Sequence, residues 1–156
     1  MYKTILVPHA GTIGGDVALK HAIFTAKYSS SKIILLHVVE EISHPPSFAL
    51  SSSEREKLLK SITNANDEMR IAMISEMEKR TKICKENGIE SSVKVVIGSA
   101  AEEILKVIQK NNVDLIVMTK RRKLKGIKSL LTLGSVSRKI VENTSCPILL
   151  MDAEKK

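Results

Sequence analysis

Short runs of branched apolar residues alternate with longer amphipathic stretches along this chain. The runs at residues 4–8 and 32–39 lack a strict alternation of apolar and polar positions, which is typical of parallel strands covered on both faces. Between them, apolar residues recur at helical spacing, at Ala18, Leu19, Ala22, Ile23 and Ala26. The first forty residues therefore predict a strand, a helix and a second strand.

A long helix is predicted next, over residues 54–87, with Gly88 as its stop. Its apolar positions are Leu58, Leu59, Ile62, Met69, Met73, Met77 and Ile83, and this methionine-rich stripe is interpreted as core. The polar stretch at 64–67 marks a place where the helix could break. The preceding segment, 40–53, contains two adjacent prolines and no period, which predicts a surface loop of unusual and often functional length.

The remaining pattern continues the alternation. A third strand at 93–97 is followed by Ser99 and Glu102, three residues apart, which predict a capping box at the start of a helix. A fourth strand at 114–118, a fourth helix at 136–143 and a fifth strand at 147–151 complete the chain. The pattern predicts one α/β domain over residues 1–152 with a parallel sheet, and a short polar tail at 153–156.

Composition narrows the functional classes. No apolar run approaches the roughly 20 residues that span a bilayer, so we expect a soluble, cytoplasmic protein with no membrane partner. Cys84 and Cys146 form no C-x-x-C pattern, so neither a zinc site nor a disulfide is predicted. No serine is paired with a recognisable base and no pair of acids stands at strand ends, so we predict no catalytic residues and no enzyme.

The formal net charge of +8 favours anionic partners without selecting one. Only four residues are aromatic, so a stacking platform for nucleic acid is not expected. One nucleic-acid hypothesis remains open, in which the basic residues between Lys120 and Lys128 contact phosphates in a salt-sensitive and sequence-blind way.

The turn at Gly134 and Ser135 is the strongest functional signal. It begins a helix after a buried strand, and that helix has no acid in its first turn, whereas the helix after Ser99 begins with Glu102 and Glu103. Free backbone N–H groups at such a turn can hold a phosphate. The alternative is that the glycine only permits a tight turn and the serine caps the helix.

Five segments together resemble the universal stress protein family: residues 2–8, 36–39, 98–100, the Leu-Gly-Ser-Val of 133–136, and the closing Cys146-Pro strand. The resemblance covers nearly the whole chain. It implies an open, parallel, five-stranded sheet of order 3-2-1-4-5 with helices on both faces, of the Rossmann-like, adenine nucleotide alpha hydrolase-like class. The turns at 9–15 and 119–135 would then face each other across the switch between strands one and four.

The resemblance also implies a nucleotide or phosphate site, with ATP or AMP as the candidate ligand. Gly98 and Val38 match positions that line the ribose and the adenine in nucleotide-binding members. The implied site residues are Pro8, Ala10, Val38, Gly98, Met118, Arg121, Arg122, Gly134, Ser135, Val136 and Ser137.

Two departures from the family pattern weaken this site. Members that bind ATP carry two spaced glycines before the Gly-Ser, and neither register of this loop supplies them, since its one glycine is Gly126. The aspartate usual in the first turn is replaced by Ala10. The loop is instead rich in Lys and Arg, which could grip phosphate, fill the cleft or remain solvated. A degenerate site is therefore preferred, with a rebuilt ATP or AMP site as the alternative.

The last strand is predicted to form a homodimer. Pro147, Ile148, Leu149, Leu150 and Met151 make an apolar edge that antiparallel pairing across a two-fold axis would cover, as the resemblance also implies. The resemblance implies a stress-response protein with an unidentified regulatory partner. His9 and His37 are interpreted as structural, and Asp16 as an acid in the first turn of the first helix.

Overall fold

The computed structural model describes residues 1–41, 50–120 and 133–152. Strands and helices alternate in it along the chain. The strands are β1 (Thr4–Pro8), β2 (Lys32–Val39), β3 (Ser91–Ile97), β4 (Leu115–Lys120) and β5 (Ile148–Asp152). The helices are α1 (Ile13–Ser29), α2 (Ser52–Glu86), α3 (Ala100–Lys110) and α4 (Ser135–Asn143).

All five strands form one parallel sheet of order β3-β2-β1-β4-β5. This confirms the fold class and the strand order that the resemblance implied. The order reverses between β1 and β4, because β2 and β3 lie on one side of β1 and β4 and β5 lie on the other.

Each face of the sheet packs against its own helices. On one face, Ile5, Val7 and Val117 pack with buried residues of α1 and α2. On the other, Leu6 and Ile116 pack with residues of α3 and α4. Because both faces are covered, the strand residues are apolar without alternation, as the pattern of β1 and β2 predicted.

The start of β1 is held by a carboxylate. Asp114 accepts hydrogen bonds from the backbone N–H groups of Lys3 and Thr4, at 2.8 and 2.9 Å. These bonds are the main cause of the lowered pKa of Asp114. The residue before β4 thus keeps β1 in register with its neighbour at the end opposite the candidate site.

Helix α2 differs from its prediction in two ways. It is continuous over 35 residues, with no break at 64–67. Its apolar stripe is only partly core: Met77 is buried, whereas Leu59, Met69 and Ile83 are 40%, 47% and 46% exposed. At 1.5 Å per residue the helix is about 52 Å long, roughly twice the length of the longest strand, so the sheet covers only part of it.

The capping box predicted at Ser99 is wrong. Ser99 is the N-cap residue of α3, but its side chain makes no capping hydrogen bond. The carboxylate of Glu102 instead accepts a hydrogen bond from Nζ of Lys139, at 3.0 Å, and so joins α3 to α4. A capping box does occur at Ser51 and Glu54, where α2 begins. None of the described helices is long and apolar enough to cross a membrane.

Candidate functional site

A cavity of about 830 Å³ opens at the carboxyl ends of the strands, where the order of the sheet reverses. The turn after β1, the end of β2, the end of β4 and the start of α4 line it. Its volume lies within the range of about 300–1,000 Å³ that is typical of pockets for small ligands. This is the place at which open α/β sheets are expected to bind ligands.

Most of the implied site residues lie together in this cavity. The ones that line it are Pro8, Ala10, Val38, Met118, Gly134, Ser135, Val136 and Ser137. Gly98 is not among the lining residues; its φ of +153° and the close approach of the Glu103 side chain explain the glycine instead. Arg121 and Arg122, with the rest of the basic loop up to Lys128, lie outside the described residues.

The start of α4 has neither a side-chain cap nor an acid among the described residues. Gly134 is the N-cap residue, in an extended conformation without a side-chain hydrogen bond, and the first turn has no acid. Ser137 is only 4% exposed and lines the cavity. Among the described residues its hydroxyl has no hydrogen-bond partner. The first turn of α4 therefore combines backbone N–H groups, a positive helix end and a buried hydroxyl on the lining of one cavity.

In contrast to the start of α4, the turn after β1 has polar groups that are hydrogen-bonded to other groups of the protein. His9 is 2% exposed, and its Nδ1 accepts a hydrogen bond from the backbone N–H of Gly11, at 3.0 Å. Its Nε2 lies 3.0 Å from Oδ1 of Asp16, and the same oxygen accepts a hydrogen bond from Nε of Arg80, at 2.7 Å. Because Nδ1 is an acceptor, the ring is neutral and Nε2 carries the proton that is donated to Asp16.

The pKa values follow from this arrangement. Burial and the nearby charge of Arg80 lower the pKa of His9, against the opposite effect of Asp16. Burial alone would raise the pKa of Asp16, but the hydrogen bond and charge of Arg80, with the bond to His9, lower it overall. Asp16 lies in the first turn of α1, as predicted, and is held ionised between two partners.

Sequence reasoning missed four features of this turn and of the cavity beside it. Arg80 is 64 positions from Asp16, and nothing in the local pattern links them. Gly15 leaves room for the His9 ring, because a Cβ there would lie 2.6 Å from the ring. Finally, Nδ1 of His37 donates to the backbone oxygen of His9, at 2.7 Å, and Glu40 is the sole carboxylate residue in the described lining.

The fold and the cavity define a class, namely parallel α/β proteins with a ligand site at the switch point of the sheet. Comparison with known proteins then defines the family. The sequence profile described as the universal stress protein family matches residues 1–151, and the chain belongs to this family.

Relatives and solved structures agree with this assignment. Two universal stress proteins of Methanocaldococcus jannaschii are each 30% identical to the chain. The alignments cover 100% and 97% of this chain and 85% and 95% of those proteins. The solved structure of hypothetical protein MJ0577 superposes with a TM-score of 0.80 and 24% identity, over 100% of this chain and 99% of that one.

Two further structures contain nucleotides. One is a universal stress protein in complex with cAMP, with a TM-score of 0.60, 18% identity and 98% of each chain covered. The other is a universal stress protein family protein from Arabidopsis thaliana with AMP bound. It has a TM-score of 0.60 and 19% identity, with 96% of this chain and 91% of that one covered.

The contact between Gly15 and His9 predicts that Gly15→Ala changes the free energy of unfolding in opposite directions with and without the His9 ring. In the wild-type chain, Gly15→Ala should lower the free energy of unfolding, because the new methyl group collides with the ring. In a His9→Ala background the same change should raise it by about 0.5 kcal/mol, since alanine is the better helix former. Urea unfolding of the four proteins measures this, and a gain in both backgrounds would contradict the contact.

Proposed function

We propose that this chain is a cytoplasmic, dimeric, non-catalytic stress-response protein that binds an adenine nucleotide in a degenerate site. The phosphate lies at the start of α4, and the base lies near Val38 at the end of β2. The observation that carries the proposal is the buried hydroxyl of Ser137, which has no partner among residues 1–41, 50–120 and 133–152, at the start of α4 within a cavity of ligand size.

The charges around α4 support a phosphate at this point. The first turn of α4 has no acid, so its positive end has no negative group of its own. Lys139, later in the helix, is already paired with Glu102 of α3 at 3.0 Å. An anion at Gly134 therefore meets the N–H groups and serine hydroxyls of α4 and does not meet a competing carboxylate from α4 itself.

The ligand class follows from the cavity and the family. The two solved relatives described above hold AMP and cAMP, which share adenine, ribose and a single phosphate. The site is degenerate because Ala10 replaces an acid and the preceding loop lacks the two glycines. We propose that binding rests on α4 and the strand ends, with cations of the 120–128 segment as further phosphate partners.

Replacing Ser135 with glutamate should separate ligand binding from stability. Ser135 is exposed at the start of α4, where a carboxylate favours the helix and should raise the free energy of unfolding by about 0.5 kcal/mol. The same carboxylate repels a phosphate, so Ser135→Glu should weaken AMP binding by at least about tenfold, or about 1.4 kcal/mol. Calorimetric titration with AMP and urea unfolding measure the two effects.

The control for this variant is Ser92→Glu. Ser92 is exposed near the start of β3, at the opposite edge of the sheet, so the added charge should leave AMP affinity within about twofold of wild type. Equal affinity of the wild-type and Ser135→Glu proteins for AMP would refute the placement of the phosphate.

The dimer is proposed to form through β5. This strand pairs with β4 on one side and is an edge of the sheet on the other. Ile148 and Leu150 pack partly on the core, while Leu149 is 38% exposed, although it lies in an apolar strand. Pro147 lies just before the strand, where its carbonyl accepts a hydrogen bond from Ile116, and Met151 packs on the other face of the sheet. Antiparallel pairing of two such edges would satisfy their free backbone groups.

A charge at Leu149 should therefore dissociate the dimer. We expect Leu149→Asp to sediment as a monomer at concentrations at which the wild type is a dimer, because the substitution puts a charge on each of the two edges that are proposed to pair. The matched control is Val141→Asp, which places the same charge on an apolar residue of α4 that is 43% exposed. A dimer of unchanged stability in Leu149→Asp argues against this edge as the interface.

A further inference from the structure

The His9 ring fills a space that exists because residue 15 is a glycine. A Cβ at position 15 would lie 2.6–2.7 Å from three atoms of the ring, so only glycine leaves the space. That glycine stands in the first turn of α1, although glycine is a weaker helix former than alanine. Position 15 is therefore matched to the His9 ring by its lack of a side chain.

The ring holds the backbone of the turn that lines the cavity. Gly11 has a φ of +75°, a left-handed conformation, and its N–H donates to Nδ1 of His9. The ring itself is fixed at the other nitrogen by Asp16, which Arg80 of α2 holds in turn. Arg80 also donates to the backbone oxygen of Glu76, at 2.9 Å, so the chain of bonds ends on the scaffold of α2.

We propose that His9 is the positioning residue of the candidate site, and that its ring holds Ala10, Gly11 and Thr12 in the shape that forms one wall of the cavity. This inference rests on the proposed function, because its consequence is measured on nucleotide binding. His9 acts through the Gly11 amide and does not need to touch the ligand.

Protonation of His9 should undo this arrangement. A protonated ring has a donor at Nδ1, which then faces the N–H of Gly11 and cannot accept its hydrogen bond. The charged or titratable groups that face the ring are Asp16 on α1, Arg80 on α2 and His37 on β2. Asp16 favours the protonated ring, whereas burial, Arg80 and His37 disfavour it, so the pKa of His9 is lowered.

The sign of the pH effect follows. The unfolded chain takes up a proton at the ordinary histidine pKa of about 6.5, and the folded chain does so at lower pH, so folding becomes less favourable as pH falls below about 6.5. Nucleotide affinity should fall in the more acidic range, through the lowered pKa of His9, as the turn loses its bond. Above neutral pH both properties should be independent of His9 titration.

Two variants distinguish the roles of the two ring nitrogens of His9. His9→Asn keeps an acceptor near the place of Nδ1 and does not titrate, whereas His9→Gln reaches the place of Nε2 and leaves the Gly11 amide without an acceptor. At pH 7.5 we expect His9→Asn to bind AMP within about twofold of wild type, and His9→Gln to bind about tenfold more weakly, the effect of one unpaired backbone donor. His21→Asn, which removes an exposed histidine of α1, is the matched control.

The pH profile is the second readout. The phosphate of AMP itself titrates near pH 6, so affinities are compared between proteins at each pH from 7.5 to 5. The wild type and His21→Asn should lose affinity more steeply than His9→Asn as pH falls. Equal slopes in the three proteins, or equal losses in His9→Asn and His9→Gln at pH 7.5, would overturn the role of His9.

A ligand-free measurement separates this inference from the proposed function. The amide proton of Gly11, followed by NMR without nucleotide, should shift with the pKa of His9 in the wild type and should not shift in His9→Asn. If AMP does not bind to the wild type, the proposed function fails while this titration still decides whether His9 holds the turn. A Gly11 amide that ignores pH in the wild type would refute the inference, whatever AMP does.

Discussion

The parallel direction of the five strands is the constraint on which the rest of the structure depends. It brings the carboxyl ends of all strands, and the starts of the helices that follow them, to one edge of the sheet. The reversal of order between β1 and β4 then separates the first turn from α4, because α1 and α4 lie on opposite faces. A cavity is the geometric result, and any function of the site begins from it.

The helices on the two sides of that cavity differ in the charged groups at their first turns. Helix α1 has Asp16 in its first turn, and the chain satisfies that acid with His9 and Arg80. Helix α4 has no acid in its first turn, and Ser137 has no partner among the described residues. Among the described residues, the wall formed by the turn after β1 is satisfied by the protein's own groups, whereas the start of α4 has no such partner and is where we propose the anion. This contrast is the physical reason to place the phosphate on α4.

Sequence patterns were sufficient to predict the strands and most of the helices, but not which strands lie side by side in the sheet. The bounds of β1 and β2 agree with their apolar runs, because doubly covered strands need apolar residues throughout. The order of the strands came from the family resemblance, since apolar runs carry no information about which strand lies beside which. The break predicted in α2 was wrong because side-chain polarity at 64–67 does not decide a helix that packs against the sheet elsewhere.

In the candidate site, too, local features were predicted from the sequence and long-range contacts were not. Gly134 and Ser135 were predicted from local chemistry, namely a turn after a buried strand and a helix without an acid, and Ser137 was implied by the family resemblance. The contact of Arg80 with Asp16 spans 64 positions, and the fit of Gly15 to the His9 ring depends on where two turns meet in space. Such contacts are set by the tertiary fold, and a single sequence has no periodic signal for them. The dimer edge and the ligand remain predictions.

The most direct test of the nucleotide site is the change in backbone amide NMR shifts when AMP is added to the wild-type protein. The account predicts that the largest shifts cluster at residues 134–137, with further shifts at Val38 and at the turn after β1. Shifts confined to the opposite, amino-terminal end of the strands, near Ser30 to Lys32, or none at millimolar AMP, would contradict the claim that α4 holds a nucleotide phosphate.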